Sequence, residues 1–160
     1  MPLIFLNEFM DKATKPKPIK FFMDTGRWGF LSPMYPCPVK VDGITYGSVE
    51  HYYQSMKGAT EAIKSKIREA PTGYVAKEMA HALNGGDAVK LSPQEKIEVM
   101  RKAMLAKFLQ NPDLGKKLLA TGDSLLLEDS PNDMFWGLNG ENWVGKLVTE
   151  ARDAVRKQKD

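Results

Sequence analysis

The segment from Gly47 to Lys57, which reads GSVEHYYQSMK, holds the densest set of side chains that could do chemistry. On a helix, four of its polar side chains would share one face; they are Glu50, Tyr53, Gln54 and Lys57. Glu50 would lie in the first turn, where the helix dipole favours an ionised carboxylate that can act as a base, a nucleophile or a stabiliser of positive charge. Acidic residues also occupy first turns for helix stability alone, and the spacing by itself favours that structural interpretation.

A second segment, from Asp133 to Gly145, places three glycines among aromatic and amide side chains. Backbone at glycine can approach a ligand closely, and Trp136 could stack on a base or cover a ribose. The last helix is expected to begin here with Asn142 as its cap, and helix starts bind phosphate through free N–H groups. A turn-rich connection around two buried tryptophans explains the same composition equally well.

Other reactive side chains are sparse, and the sequence predicts neither a cofactor nor a metal site. His51 and His81 are too few and too far apart for a metal cluster, so we interpret them as ordinary helix residues. No Cys/His/Asp arrangement surrounds Cys37, which predicts a buried thiol rather than a nucleophile. The chain contains neither a GxxxxGK(S/T) phosphate loop nor a dinucleotide fingerprint, and no carboxylate cluster suggests a two-metal nuclease.

The composition is that of one globular domain. Of 160 residues, 42% are hydrophobic and 27% are charged, which disfavours the disordered and membrane classes. The stretch from Met1 to Met10 lacks the cationic lead of a signal peptide, and a single cysteine is typical of a reducing compartment, so we expect a cytoplasmic protein with no membrane partner. The net charge of +3 suits phosphate-bearing ligands without indicating nucleic-acid binding by itself.

The helices and strands that must position these residues are predicted to form an α+β fold. We expect a mainly helical single domain over residues 1–160 with its core at about 19–157. A small β-sheet or hairpin is expected in the N-terminal half. Strands are predicted at 19–23, 28–31 and 125–127. Residues 39–46 predict a hairpin, because both positions of Asp42-Gly43 tolerate positive φ.

After Ser48 the chain is predicted to be mainly helical. Ser48 is a suitable N-cap for a helix to about Lys57, and helices near 60–69 and 73–84 follow. A capping box at 92–95 opens a long helix that Pro112 is expected to close. A short helix at about 114–119 and a final helix with one apolar face, from Val144 to Val155, complete the prediction.

Several ordered motifs between residues 21 and 156 resemble the NADAR (YbiA-like) family. The motifs that carry the resemblance are Gly29-Phe30-Leu31-Ser32, Ser48-Val49-Glu50-His51 with Gln54 and Lys57, Lys107-Phe108 with Asn111-Pro112, Leu118 to Asp123, Leu127-Glu128, Asp133-x-x-Trp136-Gly137, Gly145 and Arg152. The resemblance implies a YbiA-like fold and N-glycosidase activity on ribose-linked substrates. Two substrate classes are implied: ADP-ribose attached to guanine, free or in modified DNA, and ribosylamino phosphates of riboflavin synthesis.

The resemblance also implies roles for individual residues. Cleaving an N-glycosidic bond leaves positive charge on the ribose, so Glu50 is expected to stabilise the oxocarbenium-like state. Asp133 is the candidate for positioning water or assisting the leaving nitrogen. Lys57 could form a Schiff base with the ribose carbon, or only a salt bridge or phosphate contact. The residues expected to bind substrate are Ser32, Tyr53, Gln54, Trp136, Gly137, Asn139 and Asn142.

Two departures from the family pattern motivate alternatives. Ser32 is followed by Pro33 and Met34 instead of asparagine and phenylalanine, and Leu91-Ser92-Pro93 stands where many members have a tryptophan. The alternative functions are a non-catalytic module that binds ADP-ribose or nucleic acid, and an interaction protein that uses the same fold.

Overall fold

The computed structural model describes residues 15–159, so the expectation that residues 1–10 form no signal peptide falls outside the described residues. Four short strands lie in this range: β1 (Ile19–Phe21), β2 (Val39–Val41), β3 (Ile44–Tyr46) and β4 (Leu126–Glu128). The helices are α1 (Val49–Ser55), α2 (Glu61–Arg68), α3 (Gly73–His81), α4 (Pro93–Gln110), α5 (Pro112–Leu119) and α6 (Trp143–Gln158). The chain is thus an α+β domain dominated by helices, as predicted.

The strands form two separate pairs. β2 and β3 form the predicted hairpin, with Asp42 at φ 51° and Gly43 at φ 83° in the left-handed conformations that a tight two-residue turn requires. β1 pairs in parallel with β4, so that Ile19 faces Leu126 across the pair. This parallel pair brings the chain after β1 beside the chain after β4, although about a hundred residues separate them in sequence.

The predicted strand at 28–31 is wrong, and the first strand ends earlier than predicted. Residues Gly29–Leu31 form a 3₁₀ turn, in which the N–H of Leu31 donates to the carbonyl of Trp28 at 3.0 Å. Gly29 packs against the backbone of Asp24 so closely that a Cβ there would lie 2.5 Å from the Asp24 carbonyl carbon. Met23 ends the extended stretch because its φ is 59°.

The helices follow the predicted pattern. Ser92 and Glu95 form the predicted capping box at the start of α4. Pro112 closes α4 as predicted, because the residue before it, Asn111, is extended at φ −115° and ψ 92° and the helix ends at Gln110. Pro112 also occupies the first turn of α5, where proline is favoured because its nitrogen needs no partner. The apolar face of α4 is buried against α1, β2 and α6, and the core residues that it supplies are Ile97, Met100, Ala103, Met104 and Phe108.

No helix within residues 15–159 is both long enough and apolar enough to cross a membrane.

Candidate active site

A cavity of about 460 Å³ opens between α1, α3, α4 and the loop that joins β4 to α6. This volume lies in the range of small-molecule sites. The residues predicted for the site that line the cavity are Ser32, Glu50, Tyr53, Gln54, Lys57, Asp133 and Trp136. Gly137, Asn139 and Asn142 do not line it.

The start of α1 is fixed from three directions. The Ser48 hydroxyl accepts from the backbone N–H of His51 at 3.2 Å, which confirms Ser48 as the N-cap. The His51 ring is buried, with Nδ1 2.7 Å from Ser48 Oγ and Nε2 2.9 Å from the carbonyl of Ala70. The backbone N–H of Glu50 donates to the carbonyl of Pro33 at 3.0 Å. His51 is therefore a structural residue, and its contacts hold the turn that carries Glu50.

The carboxylate of Glu50 is buried in the cavity wall, with 6% of the residue exposed. Gln54, one turn further along α1, donates from Nε2 to Glu50 Oε1 at 2.5 Å. Burial raises the pKa of Glu50, and the Gln54 hydrogen bond opposes that rise most. Lys77 and Lys57 oppose it further, whereas Glu128 adds to it. The site thus holds a carboxylate out of water while a donor and two cations favour its charged form.

The remaining polar atoms of this α1 face point to a ligand. Gln54 is 2% exposed, and its Oε1 has no hydrogen-bond partner among residues 15–159, so the atom is free to accept from a ligand hydroxyl or N–H. The ring of Tyr53 packs edge-on against Trp136, with 5.5 Å between ring centroids. Lys57 Nζ lies 4.8 Å from the centre of the Tyr53 ring. An aromatic corner therefore adjoins the buried carboxylate.

Three further basic side chains from other helices line the same cavity; burial, Lys57 and Lys77 lower the pKa of one of them, His81, which favours its neutral form. Lys77 and His81 come from α3, and Lys96 comes from α4. Burial lowers the pKa of Lys57; Glu50 opposes that shift, while Lys96 and Lys77 add to it. Within residues 15–159, no ion pair joins an acidic side chain to Lys57, Lys77 or Lys96. Lysines that converge on a cavity without forming direct ion pairs can contact an anion such as phosphate.

Lys77, His81 and Lys96 were not predicted as site residues. The spacing of Lys77 and His81, four apart on one helix, places them on one face and is a signal that sequence reasoning could have used. Lys96 offers no such signal, because it reaches the cavity only through the packing of α4 against α1.

Asp133 holds the loop that carries Trp136. Its Oδ1 accepts from the backbone N–H groups of Phe135, at 3.0 Å, and Trp136, at 2.8 Å. Trp136 then packs edge-on against Phe135 as well as against Tyr53. One carboxylate oxygen of Asp133 therefore positions the aromatic side chain, while the residue as a whole still lines the cavity.

The three predicted residues outside the cavity have other surroundings. Asn142 stands at the N-cap position of α6 with φ 52°, but its side chain does not cap the helix: Oδ1 accepts from the N–H of Glu128 at 3.0 Å and Nδ2 donates to the carbonyl of Leu126 at 3.1 Å. Gly137 is buried, and a Cβ there would lie 3.2 Å from Glu128 Oε2. Asn139 is exposed on the loop. Asn142 and Gly137 thus lie against β4: Asn142 bonds to its backbone, and Gly137 lies beside the Glu128 side chain.

Glu128 and Ser130 are site residues to which the sequence interpretation gave no role. Both line the cavity, and Ser130 Oγ donates a short hydrogen bond to Glu128 Oε2. Burial raises the pKa of Glu128, the Ser130 hydroxyl opposes that rise, and Asp133 adds to it. A single carboxylate at the end of a three-residue strand has no periodic pattern to reveal it. The cavity therefore contains three carboxylates, on α1, on β4 and on the loop.

The loop that departs from the family pattern also reaches the cavity. Ser32 Oγ accepts from the N–H of Met34 at 3.1 Å, and the carbonyl of Ser32 accepts from Lys107 Nζ at 2.8 Å. Lys107 is fully buried on α4, and burial lowers its pKa to about 8.

Cys37 is buried as predicted, and burial raises its pKa. Within residues 15–159, no three His, Cys, Asp or Glu side chains are grouped so that they could hold a metal ion.

Comparison with known proteins gives concordant relatives. Residues 20–156 match the NADAR domain. The chain is 35% identical to the Escherichia coli (strain K12) protein named N-glycosidase YbiA, over 88% of this chain and 90% of that protein. The NMR structure of the E. coli protein YbiA superposes with a TM-score of 0.79 and 33% identity, covering 91% of this chain and 89% of the other. A Vibrio vulnificus (strain YJ016) protein named riboflavin biosynthesis protein VVA0006 is 33% identical over 88% of this chain, which spans 39% of that longer protein.

Proposed function

The chain belongs to the NADAR domain family, and from that premise we propose that it is an N-glycosidase that hydrolyses the bond between C1′ of a ribose and the nitrogen of its base. The observation that supports this proposal most is the carboxylate of Glu50, held at 6% exposure in the wall of a cavity of about 460 Å³. An ionised carboxylate in a site shielded from water strongly stabilises a neighbouring cation.

In the proposed reaction, the C1′–N bond breaks and its electron pair leaves with the base. The ribose ring becomes an oxocarbenium-like cation, which Glu50 stabilises while a water molecule attacks C1′. The helix dipole at the start of α1 and the Gln54 donor favour the ionised form of Glu50, against the burial that raises its pKa. Glu50 and Asp133, which both line the cavity, can orient the water, and the proton that the water loses passes to one of them.

The cations on the opposite helices support a substrate that carries phosphate. Lys57, Lys77 and Lys96 line the cavity from α1, α3 and α4 and could pair with a phosphate or diphosphate, to which His81 could add a hydrogen bond. We therefore propose a nucleotide-ribose substrate, either ADP-ribose linked to guanine, free or in modified DNA, or a ribosylamino phosphate. Trp136 and Tyr53 would cover the sugar or base, and the free Oε1 of Gln54 and the Ser32 backbone would bind its polar atoms.

The experiment is a product assay by mass spectrometry on two panels, ribosylamino phosphates and ADP-ribosylated guanosine or DNA. We expect base release from at least one panel and a loss of kcat of about 10²- to 10³-fold for Glu50→Gln, which keeps the shape and removes the charge. Glu61→Gln is the matched control, because Glu61 occupies the first turn of α2, which supplies no cavity residue.

Full turnover by Glu50→Gln would contradict the assignment of Glu50. Binding of ADP-ribose by the wild-type protein without product from either panel would instead support the non-catalytic alternative.

A covalent route is a second candidate mechanism, favoured by the half-buried position of Lys57 and its lowered pKa. The neutral amine of Lys57 would attack C1′ as the base leaves, and ring opening with proton transfer to O4′ would give an iminium that water hydrolyses. Borohydride would then trap a protein–ribose adduct in the wild-type enzyme. Lys57→Arg keeps the charge for phosphate but cannot form the iminium, so activity retained in Lys57→Arg without a trapped adduct would exclude this route.

A further inference from the structure

We propose that Glu128, held by the hydroxyl of Ser130, is the acid that gives its proton to the leaving nitrogen of the base. The inference rests on the proposed N-glycosidase function and adds a second catalytic residue to it. It follows from three features of the cavity: the placement of Glu128 on the wall formed by β4, the difference between its hydrogen-bond partner and that of Glu50, and the use of Asp133 elsewhere.

The first feature is the support behind Glu128. Its backbone N–H donates to Asn142 Oδ1 at 3.0 Å, and its carbonyl accepts from the N–H of Leu138 at 2.6 Å. Gly137 leaves the space that the carboxylate occupies, since a Cβ there would lie 3.2 Å from Glu128 Oε2 and 2.7 Å from the Asp133 carbonyl oxygen. A loop with several backbone contacts to one strand end therefore fixes a single carboxylate at the cavity.

The second feature distinguishes the two glutamates. Gln54 donates from Nε2 to Glu50, and this bond is stronger to an ionised carboxylate, so it favours the charged form of Glu50. Ser130 presents a hydroxyl to Glu128, and a hydroxyl can donate to a carboxylate or rotate and accept from a carboxylic acid. The partner of Glu128 can therefore accommodate either protonation state, whereas the partner of Glu50 favours the charged one.

The third feature removes the other candidate for the acid. Asp133 Oδ1 accepts two backbone N–H groups, at 3.0 and 2.8 Å, so one oxygen of this carboxylate is used to hold its own loop. Glu128 Oε2 accepts instead from the hydroxyl of Ser130, and the Ser130 backbone also contributes a hydrogen bond that lowers the pKa of Glu128.

The charged groups that face Glu128 come from three elements. Asp133 on the loop raises its pKa, in the same direction as burial, while Lys77 on α3 lowers it. Glu50 on α1 is coupled to it, because each of the two negative charges disfavours the other. The net direction for Glu128 is upward, which allows a protonated fraction at higher pH than an exposed glutamate would show.

In the proposed step the C1′–N bond breaks, its electron pair forms the bond between nitrogen and the Glu128 proton, and the base leaves neutral. Water attacks C1′ and its proton is lost to Glu50 or to solvent. Glu128 is then reprotonated from solvent before the next turnover.

The test measures kcat/KM against pH for the wild-type protein and for Glu128→Gln, on whichever guanine-linked or ribosylamino substrate the wild type cleaves. We expect Glu128→Gln to lose about 10²- to 10⁴-fold in kcat and to lose the fall in kcat/KM on the alkaline side. Glu141→Gln, an exposed residue of the same loop, is the matched control, and thermal unfolding checks the fold. A ribotide with a pyridinium leaving group, which departs without a proton, should be cleaved by Glu128→Gln and wild type at similar rates if wild type accepts it.

Ser130→Ala provides a second readout. The hydroxyl lowers the pKa of Glu128, so its removal raises that pKa and extends protonation to higher pH. The alkaline fall in kcat/KM should therefore move to higher pH in Ser130→Ala. A general structural defect would lower the whole profile without this shift.

Three outcomes would overturn the proposal. An unchanged alkaline fall in Glu128→Gln shows that another group supplies the proton. Loss of the acidic fall instead shows that the roles of Glu50 and Glu128 are exchanged. If the wild-type protein releases no base from any substrate, the proposed function itself fails, and the role of Glu128 with it.

Discussion

The two carboxylate-bearing walls of the cavity are built in different ways. The helical wall is the α1 face of Glu50, Tyr53, Gln54 and Lys57, which stand on regular backbone behind one N-cap. The loop wall comprises residues 128–142, between the end of β4 and the start of α6, where backbone N–H groups bond to side chains such as Asp133 and Asn142. In the helical wall the four cavity side chains do not hold the backbone, whose first turn is fixed by Ser48 and the carbonyl of Pro33. In the loop wall several polar side chains are used to hold the backbone.

The helical wall and the loop wall should respond differently to mutation. A substitution on the helical wall should change chemistry more than stability, because each side chain projects from a backbone that does not depend on it. A substitution in the loop wall should change stability and chemistry together, since the same residues hold the loop and place Glu128 and Trp136.

The largest effect is expected for Gly137→Ala in the loop wall. The new Cβ would lie 2.7 Å from the Asp133 carbonyl oxygen, 3.1 Å from Ser130 Cβ and 3.2 Å from Glu128 Oε2, so the loop must shift. We expect a loss of about 3 kcal/mol in the free energy of unfolding, measured by urea denaturation, together with a large loss of kcat.

Gly86→Ala is the matched control, because a Cβ at Gly86 would have no atom within 4 Å. It should change stability by less than about 0.5 kcal/mol. A stable Gly137→Ala protein with normal kcat would show that the loop wall tolerates a shift and that the comparison between the walls is wrong.

The helical wall was largely predictable from the sequence, for a physical reason. Helical periodicity converts spacing into direction, so one face could be assigned to Glu50, Tyr53, Gln54 and Lys57, and all four line the cavity. The same local rules predicted the Asp42-Gly43 hairpin and the Ser48 cap. These features depend on residues a few positions apart.

The loop wall was predictable only in part, because its arrangement depends on distant contacts. Composition and the family resemblance identified Asp133 and Trp136, but not the bonds that join Asn142 to β4. The 3₁₀ turn at 29–31 was mistaken for a strand for the same reason: the close contact of Gly29 with Asp24 depends on how the chain folds back, which no period reveals.

A smaller effect is expected when Asp133 is changed. Asp133→Ala leaves the N–H groups of Phe135 and Trp136 without their acceptor, which should cost about 2 kcal/mol in the free energy of unfolding. Asp133→Asn keeps an oxygen at the Oδ1 position and should recover most of that stability. Urea denaturation of both variants makes the comparison, and kcat shows whether the carboxylate charge also matters.

Equal destabilisation by Asp133→Ala and Asp133→Asn would mean that charge, and not the two hydrogen bonds, holds this loop. If Asp133→Asn is as stable as the wild type but has a lower kcat, the Asp133 carboxylate has a chemical role.

The smallest effect is expected at the caps of two helices, one in the helical wall and one outside it. Ser48 caps α1 and Thr60 caps α2, each by accepting from a backbone N–H at 3.2 Å, so Ser48→Ala and Thr60→Ala should each cost about 1 kcal/mol of unfolding free energy. Only α1 carries a cavity carboxylate, so only Ser48→Ala should also lower kcat/KM several-fold, by loosening the turn that holds Glu50. If both variants lower kcat/KM equally, lost stability explains the effect. If neither does, the contact between the N–H of Glu50 and the carbonyl of Pro33 is sufficient to fix the turn.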